Sequence, residues 1–254
     1  INRGEHVLRI TAKQQLMREI VDILSVLTSD AKLVWGENGL SVKVVDGSHV
    51  ALLSATFADE CFETYEVTPI EVGLELVKMR DMIALASPND LIEMEVENEV
   101  NINVRVGGVE MSLRGIDINH MDIPNEPSVD YKSELTIGSE KLTKAFKGAR
   151  LVGTEVDLTL ENNTFIVSSI QDSGDRVTVK FESGELRELN HVPDGAYSRY
   201  GLIGNGGLFD LMKKVTADEV SIKFNTNHPL FLEWTSNEGG ARWKYWLAPR
   251  MYEA

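Results

Sequence analysis

Shifted by 128 residues, the chain lies on itself. A strand pattern at 7–10 leads into a helical pattern at about 12–27, and a strand pattern at 134–137 leads into another at about 139–151. The dipeptide Gly73-Leu74 recurs as Gly201-Leu202, each ahead of a helical stretch, near 76–86 and near 206–215. A hairpin-like strand pair follows in both halves, 91–96 with 100–106 and 220–224 with 230–234. Few residues are identical between the halves, so the repeat lies in the order of elements. Whatever one half builds, the other must build again.

The intervening runs alternate apolar and polar residues, as half-buried antiparallel strands do. They are 33–35, 40–45, 51–57, 111–113, 156–160, 165–169 and 177–181. Turn-forming residues separate them at Glu37-Asn38-Gly39, Asn162-Asn163 and Asp172-Ser173-Gly174. Strands outnumber helices and follow one another directly, which suits meanders better than βαβ units. The predicted class is α+β: two similar domains, each with antiparallel sheets and two helices. Between them Pro124 and Pro127 mark an extended connector. The expected boundaries are 1–116, a connector 117–133, and 134–254. Met121 and Ile123 alternate within the connector, so on an extended chain they point the same way.

A formal charge of -15 with 43% hydrophobic residues fits a chain with a substantial core and an acidic surface. That charge argues against a general nucleic-acid or membrane-binding face, though not against a local basic one. Such a basic segment exists. Lys141, Lys144, Lys147 and Arg150 recur every third residue, and three helical steps turn a side chain by about 300°, so the series sweeps one flank. Leu142, Ala145, Phe146 and Ala149 fall opposite, giving an amphipathic helix with a cationic outer face. The helix from Ala12 carries Leu16, Ile20, Ile23, Leu24 and Leu27 on one face, with Arg18 and Asp22 opposite. Lys78 and Arg80 flank Asp81 in the third-quarter helix of the first half, and Lys213 and Lys214 stand beside Asp210 in its counterpart. The second half thus holds most of the clear basic signal.

Catalytic patterns are missing. The chain has no GxxxxGK(S/T) loop, GxSxG, HExxH or paired CxxC. Gly204-Asn205-Gly206-Gly207 lacks the Lys-Ser/Thr of a phosphate loop and reads as a turn before a helix. His6, His49, His120, His191 and His228 have no metal-like spacing. The single Cys61 excludes an intramolecular disulfide, fits a reducing compartment and reads as a buried structural residue. Glu93, Glu95, Glu97 and Glu99 alternate along a strand and read as a solvated face. No reaction, cofactor or metal is predicted. With no signal-peptide pattern and no apolar run near 18 residues, a soluble intracellular protein is expected.

Three stretches carry a family resemblance: Val45-Asp46-Gly47-Ser48-His49-Val50, Met121-Asp122-Ile123-Pro124 and Leu247-Ala248-Pro249-Arg250. Their order and spacing on duplicated halves resemble the sliding clamps of the proliferating cell nuclear antigen family, especially archaeal members, over nearly the whole chain. The resemblance implies the DNA clamp fold and a homotrimeric ring around duplex DNA, cytoplasmic and nucleoid-associated if archaeal, nuclear if eukaryotic. It implies a non-enzymatic processivity factor that tethers replicative polymerase, flap nuclease, ligase and clamp loader through a glutamine- and aromatic-bearing peptide, with no membrane partner. A subunit of a heterotrimeric or specialised clamp is the neighbouring reading, and a two-domain small-molecule enzyme the distant one.

By the same resemblance, Arg18, Lys78, Arg80, Lys141, Lys144, Lys147, Arg150, Lys213 and Lys214 would face DNA. Val45, His49, Met121, Ile123, Pro124, Pro229, Trp246, Ala248 and Pro249 would receive the partner peptide. Val109, Met111 and Leu113 would pair with the next subunit's Val177 and Val179. Departures from the family are the fewer first-half lysines, the acids Asp22 and Asp81, and Trp246 where tyrosine is commoner. Three chains at -15 give a ring of -45, which repels DNA outside and requires few, phosphate-directed contacts inside.

Overall fold

The computed structural model describes residues 7–98, 100–121, 123–236 and 240–251. The first half runs β1 (Leu8–Lys13), α1 (Gln14–Leu24), β2 (Asp30–Gly36), β3 (Gly39–Val45), β4 (Ala51–Ala58), β5 (Thr64–Val67), β6 (Ile70–Glu75), α2 (Leu76–Ile83), β7 (Leu91–Asn98), β8 (Asn101–Val106) and β9 (Val109–Arg114). The second runs β10 (Glu134–Gly138), α3 (Ser139–Arg150), β11 (Glu155–Glu161), β12 (Thr164–Ile170), β13 (Arg176–Phe181), β14 (Arg187–Asn190), β15 (Ala196–Gly201), α4 (Leu208–Met212), β16 (Glu219–Lys223), β17 (Leu230–Thr235) and β18 (Arg242–Leu247). The order repeats element for element. So does the pairing: β1 pairs antiparallel with β5 and β7, as β10 does with β14 and β16. β2 pairs with β3 and β6, as β11 does with β12 and β15.

The chain forms two compact units, and neither is a continuous half. One holds Ile1–Val44, Ser54–Pro124 and Thr235–Trp243; the other holds Val45–Leu53, Asn125–Trp234 and Lys244–Ala254. Residues 45–53 and 235–243 therefore each pack with the opposite half. A single cut at the connector does not describe this arrangement. Periodicity is a local signal and carries no trace of such an exchange.

In the first unit β5-β1-β7-β8-β9 form a sheet, and β4, β3, β2 and β6 lie side by side in that order. Helices α1 and α2 pack on each other, α1 also on β1 and β7. Leu16, Ile20, Ile23 and Leu24 are buried at 3% exposure or less while Arg18 is exposed, so the wheel reading holds. In the second unit β13-β12-β11-β15 form a sheet, and β14, β10, β16, β17 and β18 follow one another in order. Helix α3 packs on α4 and on β10 to β13. Leu142, Ala145, Phe146 and Ala149 are at most 1% exposed, and a residue the size of Phe146 gains roughly 1.5–3 kcal/mol from burial.

Several boundaries differ from expectation. Helix α1 starts at Gln14 because Ala12 and Lys13 stay in β1, opposite Ile92 and Leu91 of β7. Helix α2 ends at Ile83. Helix α4 spans only Leu208–Met212, since Gly206 and Gly207 take φ of +87° and +62°, outside helical space. Strands β5, β6, β14 and β15 were not signalled. The short β5 and β14, four residues each, have no buried position, and so brief a run gives little periodic signal even where, as in β5, it alternates. The glutamate row on β7 is not wholly solvated. Glu95 is 5% exposed and pairs with Arg105 at 2.9 Å and Arg9 at 3.2 Å. Glu99 lies outside the described residues.

Candidate functional site

All nine cations assigned to DNA are exposed. Arg18 is on α1, Lys78 and Arg80 on α2, and Lys141, Lys144, Lys147 and Arg150 on α3. Lys213 and Lys214 lie just past the last residue of α4 rather than within it. Four are partly neutralised. Arg18 meets Asp22 at 3.6 Å, Lys78 meets Glu75 at 2.7 Å, Lys141 meets Glu185 at 3.2 Å and Lys213 meets Asp210 at 2.6 Å. The hydrogen bond from Lys141 holds the Glu185 carboxyl below the usual range. Arg150 and Lys213 both stand over the Phe209 ring, 4.8 Å from its centroid. Lys144 and Lys147 make no ion pair or hydrogen bond among the described residues, and they occupy the middle of the flank. Their charge, like that of Arg80, is not spent on an ion pair among the described residues.

A second cluster lies wholly in the second unit. Between β3 and β4 the chain turns through Asp46-Gly47-Ser48-His49-Val50. Asp46 is 5% exposed; its Oδ1 accepts from the backbone N–H of Val50 at 2.8 Å and Ala51 at 2.7 Å, and its Oδ2 from Ser48 at 3.2 Å. His49 is held at φ +57° with an exposed side chain, and Val45 is half-buried. The turn is tied to the C-terminal segment, because Ala248 donates its N–H to the Val50 carbonyl at 2.8 Å. Pro249 bridges to Tyr200 of β15, and the Arg250 N–H donates to the Arg199 carbonyl at 2.7 Å.

Trp246 is 6% exposed, so most of its ring is engaged in packing. It stands 5.0 Å from the Phe231 ring, which stacks on Tyr131 at 5.9 Å. Neither Phe231 nor Tyr131 was singled out from the sequence. The Pro229-Leu230-Phe231 run beside a Trp-bearing strand was the available signal. Pro229 is half-buried beside His228, whose carbonyl accepts from the Tyr200 hydroxyl at 2.9 Å. Burial raises the Tyr131 and Tyr200 hydroxyls above the usual phenol range.

The connector residues belong to the first unit up to Pro124. Ile116 donates to the Gly73 carbonyl at 3.0 Å and Met121 to the Ile118 carbonyl at 3.1 Å. Met121 and Ile123 are half-buried, Pro124 is exposed, and Asp122 lies outside the described residues. A Cβ on Gly73 would come 2.4 Å from the Ile116 carbonyl oxygen, so that glycine admits the connector's close approach.

The strands assigned to subunit contact both stand at sheet edges: β9 pairs only with β8, and β13 only with β12. Val109 is 47% exposed, and Met111, Val177 and Val179 are half-buried. Leu113 is 8% exposed and already serves the sheet's own core, opposite Ile102. Cys61 is half-buried rather than buried, in a 3-10 turn, and burial raises its thiol above the usual range. Among the described residues no group of three or more His, Cys, Asp or Glu is placed to hold a metal. Among the described residues no helix is long and apolar enough to cross a membrane.

Comparison with known proteins agrees with this geometry. Residues 8–123 match the family model described as proliferating cell nuclear antigen, N-terminal domain. A DNA polymerase sliding clamp of Methanoregula boonei is 27% identical over 249 residues, covering 96% of this chain and 99% of its own. One from Methanococcoides burtonii is 25% identical, with 96% and 98% covered. Among solved structures, A. fulgidus PCNA with the C-terminal region of FEN-1 bound superposes with a TM-score of 0.89 at 24% identity, covering 97% of this chain and all of that one. PCNA from Thermococcus kodakaraensis gives 0.86 at 21%, covering 96% and 100%.

The fold is the DNA clamp fold, with antiparallel sheets and few helices. The chain is similar to the proliferating cell nuclear antigen family of DNA sliding clamps, by the family model over its first half and by archaeal relatives along nearly its whole length.

Proposed function

We propose that the protein is a DNA polymerase processivity factor, three copies of which close into a ring around duplex DNA. The observation that carries this reading is the pair Lys144 and Lys147, exposed and without an ion pair among the described residues, on one flank of α3 in a chain of charge -15. Cations left without protein partners on an otherwise acidic molecule suit a polyanion that must be held loosely and without regard to sequence. The repeated halves 1–116 and 134–254, joined by the connector 117–133, are the two evolutionary domains, although 45–53 and 235–243 each pack with the opposite half. DNA contacts come from the cations of α1 to α4, most strongly from α3. Ring closure is head to tail, β9 of one copy against β13 of the next, since unpaired edges are association sites.

The partner peptide, a glutamine with apolar or aromatic anchors, is received by the connector residues Met121, Ile123 and Pro124 together with Val45, His49, Pro229, Trp246, Ala248 and Pro249. Polymerase, flap nuclease, ligase and clamp loader are the partners this chemistry fits. The protein catalyses no reaction of its own and works in the cytoplasm beside the nucleoid if archaeal, in the nucleus if eukaryotic. The relative with the FEN-1 C-terminal region bound supports the peptide mode. The test is processive synthesis on a loaded template. Replacing Lys144 and Lys147 with Ala should reduce polymerase stimulation at moderate salt while leaving peptide affinity unchanged. Undiminished stimulation, or loss of peptide binding instead, would refute the two-surface reading.

A further inference from the structure

We propose that Asp46 is a positioning residue for partner-peptide recognition, fixing the turn that presents Val45 and His49 and tying it to Ala248. This rests on the peptide-binding reading above. Asp46 is itself 5% exposed, so it offers little surface to a ligand. Its role must pass through the groups it holds.

Among the described residues the Asp46 carboxylate is met only by backbone N–H groups: Ser48 at 3.2 Å, Val50 at 2.8 Å and Ala51 at 2.7 Å. The Asp46 backbone closes the same loop, its carbonyl accepting from His49 at 2.9 Å and its N–H donating to the Ala51 carbonyl at 3.1 Å. A buried carboxylate without a cation is tolerated only where such donors converge on it, and bonds to an ionised acceptor are about twice as strong as neutral ones. That strength has a local use. His49 sits at φ +57°, a left-handed conformation that is strained for a residue with a Cβ. The neighbouring N–H groups at 48, 50 and 51 are oriented together only while the turn keeps that shape.

The turn itself is open, with nothing within 4 Å of a Cβ built on Gly47, and only the floor at its Ala51 end is closely packed. A Cβ on Gly206 would lie 2.4 Å from Leu247 Cδ1 and 3.5 Å from both the Ala51 Cβ and the Tyr245 hydroxyl. Tyr245 donates its hydroxyl to the Gly206 carbonyl at 2.5 Å. The turn's shape is therefore set from within, by Asp46. If His49 relaxes to negative φ, the Val50 carbonyl rotates and its 2.8 Å bond from Ala248 is lost. Binding groups from two distant chain segments then lose their common frame. Affinity falls although no ligand-contacting side chain has been removed.

The experiment is calorimetry of a glutamine-and-aromatic peptide with wild type, Asp46→Asn, Asp46→Ala and Ile123→Ala, with light scattering on each. Losing charge-assisted bonds of about 1.4 kcal/mol or more corresponds to about tenfold weaker binding for Asp46→Ala. Asp46→Asn keeps the shape and one acceptor oxygen, so it should fall between Ala and wild type, about threefold weaker. Assembly should be unchanged in both. Wild-type affinity in both Asp46 variants, with Ile123→Ala defective, overturns the proposal and leaves the peptide reading standing. No binding by the wild type overturns both. Should Asp46→Ala fail to fold, Asp46→Asn decides: intermediate affinity with intact assembly supports the proposal, and wild-type affinity overturns it.

Discussion

Trp243 donates its indole N–H to the carboxylate of Glu19 at 3.0 Å, across 224 positions of chain. Both residues lie in the first unit, where Glu19 is 7% exposed and Trp243 fully buried. The Trp243 ring meets Phe57 edge-on, centroids 5.4 Å apart and planes at 89°. A buried donor left without its acceptor costs roughly 1–3 kcal/mol. Glu19→Ala should therefore lower the urea midpoint clearly, and Glu19→Gln, which retains an acceptor oxygen, should lower it less. Equal midpoints for the two variants would show that the indole bond contributes little.

Assembly is predicted to depend on the two free edges. Light scattering of the wild type at micromolar concentration, at low and high salt, should report a trimer. Met111→Lys combined with Val179→Lys would set like charges against each other at every junction, and should give monomer with unchanged circular dichroism. A wild type that is monomeric at every salt concentration would remove β9 and β13 as closure strands.

For the partner pocket, Ile123→Ala should weaken a glutamine-and-aromatic peptide by about tenfold, in line with losing roughly 1–3 kcal/mol of apolar contact. Isothermal calorimetry reads this directly. Equal affinity for the variant and wild type would remove Ile123 from the site.

Stability should decline in alkali. Burial raises the Tyr65 hydroxyl to about 12, and it donates to the Gly36 carbonyl at 2.6 Å. In the unfolded chain a tyrosine titrates near 10. The folded state thus holds its proton more tightly, and the stability it contributes is whole below about 10 and lost as pH rises through about 12. Tyr131, Tyr200 and Tyr245 are shifted in the same direction. Denaturant midpoints should fall between pH 9.5 and 12, with phenolate absorbance appearing together with unfolding. Tyrosines that ionise at their ordinary value in the folded protein would contradict this.

How much was legible depended on whether the signal was local. The cationic flank of α3 was legible because Leu142, Ala145, Phe146 and Ala149 repeat at helical spacing and all are buried. The duplication was legible because element order survives when residue identity does not. Helix α4 was overextended because Gly206 and Gly207 look permissive in sequence and turn left-handed in the structure. The burial of Glu95 depends on Arg9 and Arg105, which neighbouring strands bring to it, and strand alternation alone predicts a solvated position. For the candidate site, the turn at 45–50 and the segment at 248–249 fall in the same unit, joined by the bond from Ala248 to the Val50 carbonyl. Asp46 stood in the 45–50 stretch that carries the resemblance, but its burial and its bonds to backbone N–H groups are tertiary facts, as is the stacking of Phe231 between Trp246 and Tyr131.

The exchange of residues 45–53 and 235–243 has a consequence for how the protein comes into being. A ribosome finishes almost all of the first unit long before it makes Trp243. Until then Glu19 lacks its indole donor and Phe57 its edge-on neighbour. The first unit cannot be completed in the order in which it is synthesised. Vectorial folding, in which an early domain closes before a later one emerges, is the usual protection for a chain built of two domains. Here the nascent first unit must wait, open at one seam, for a segment made after most of the second unit.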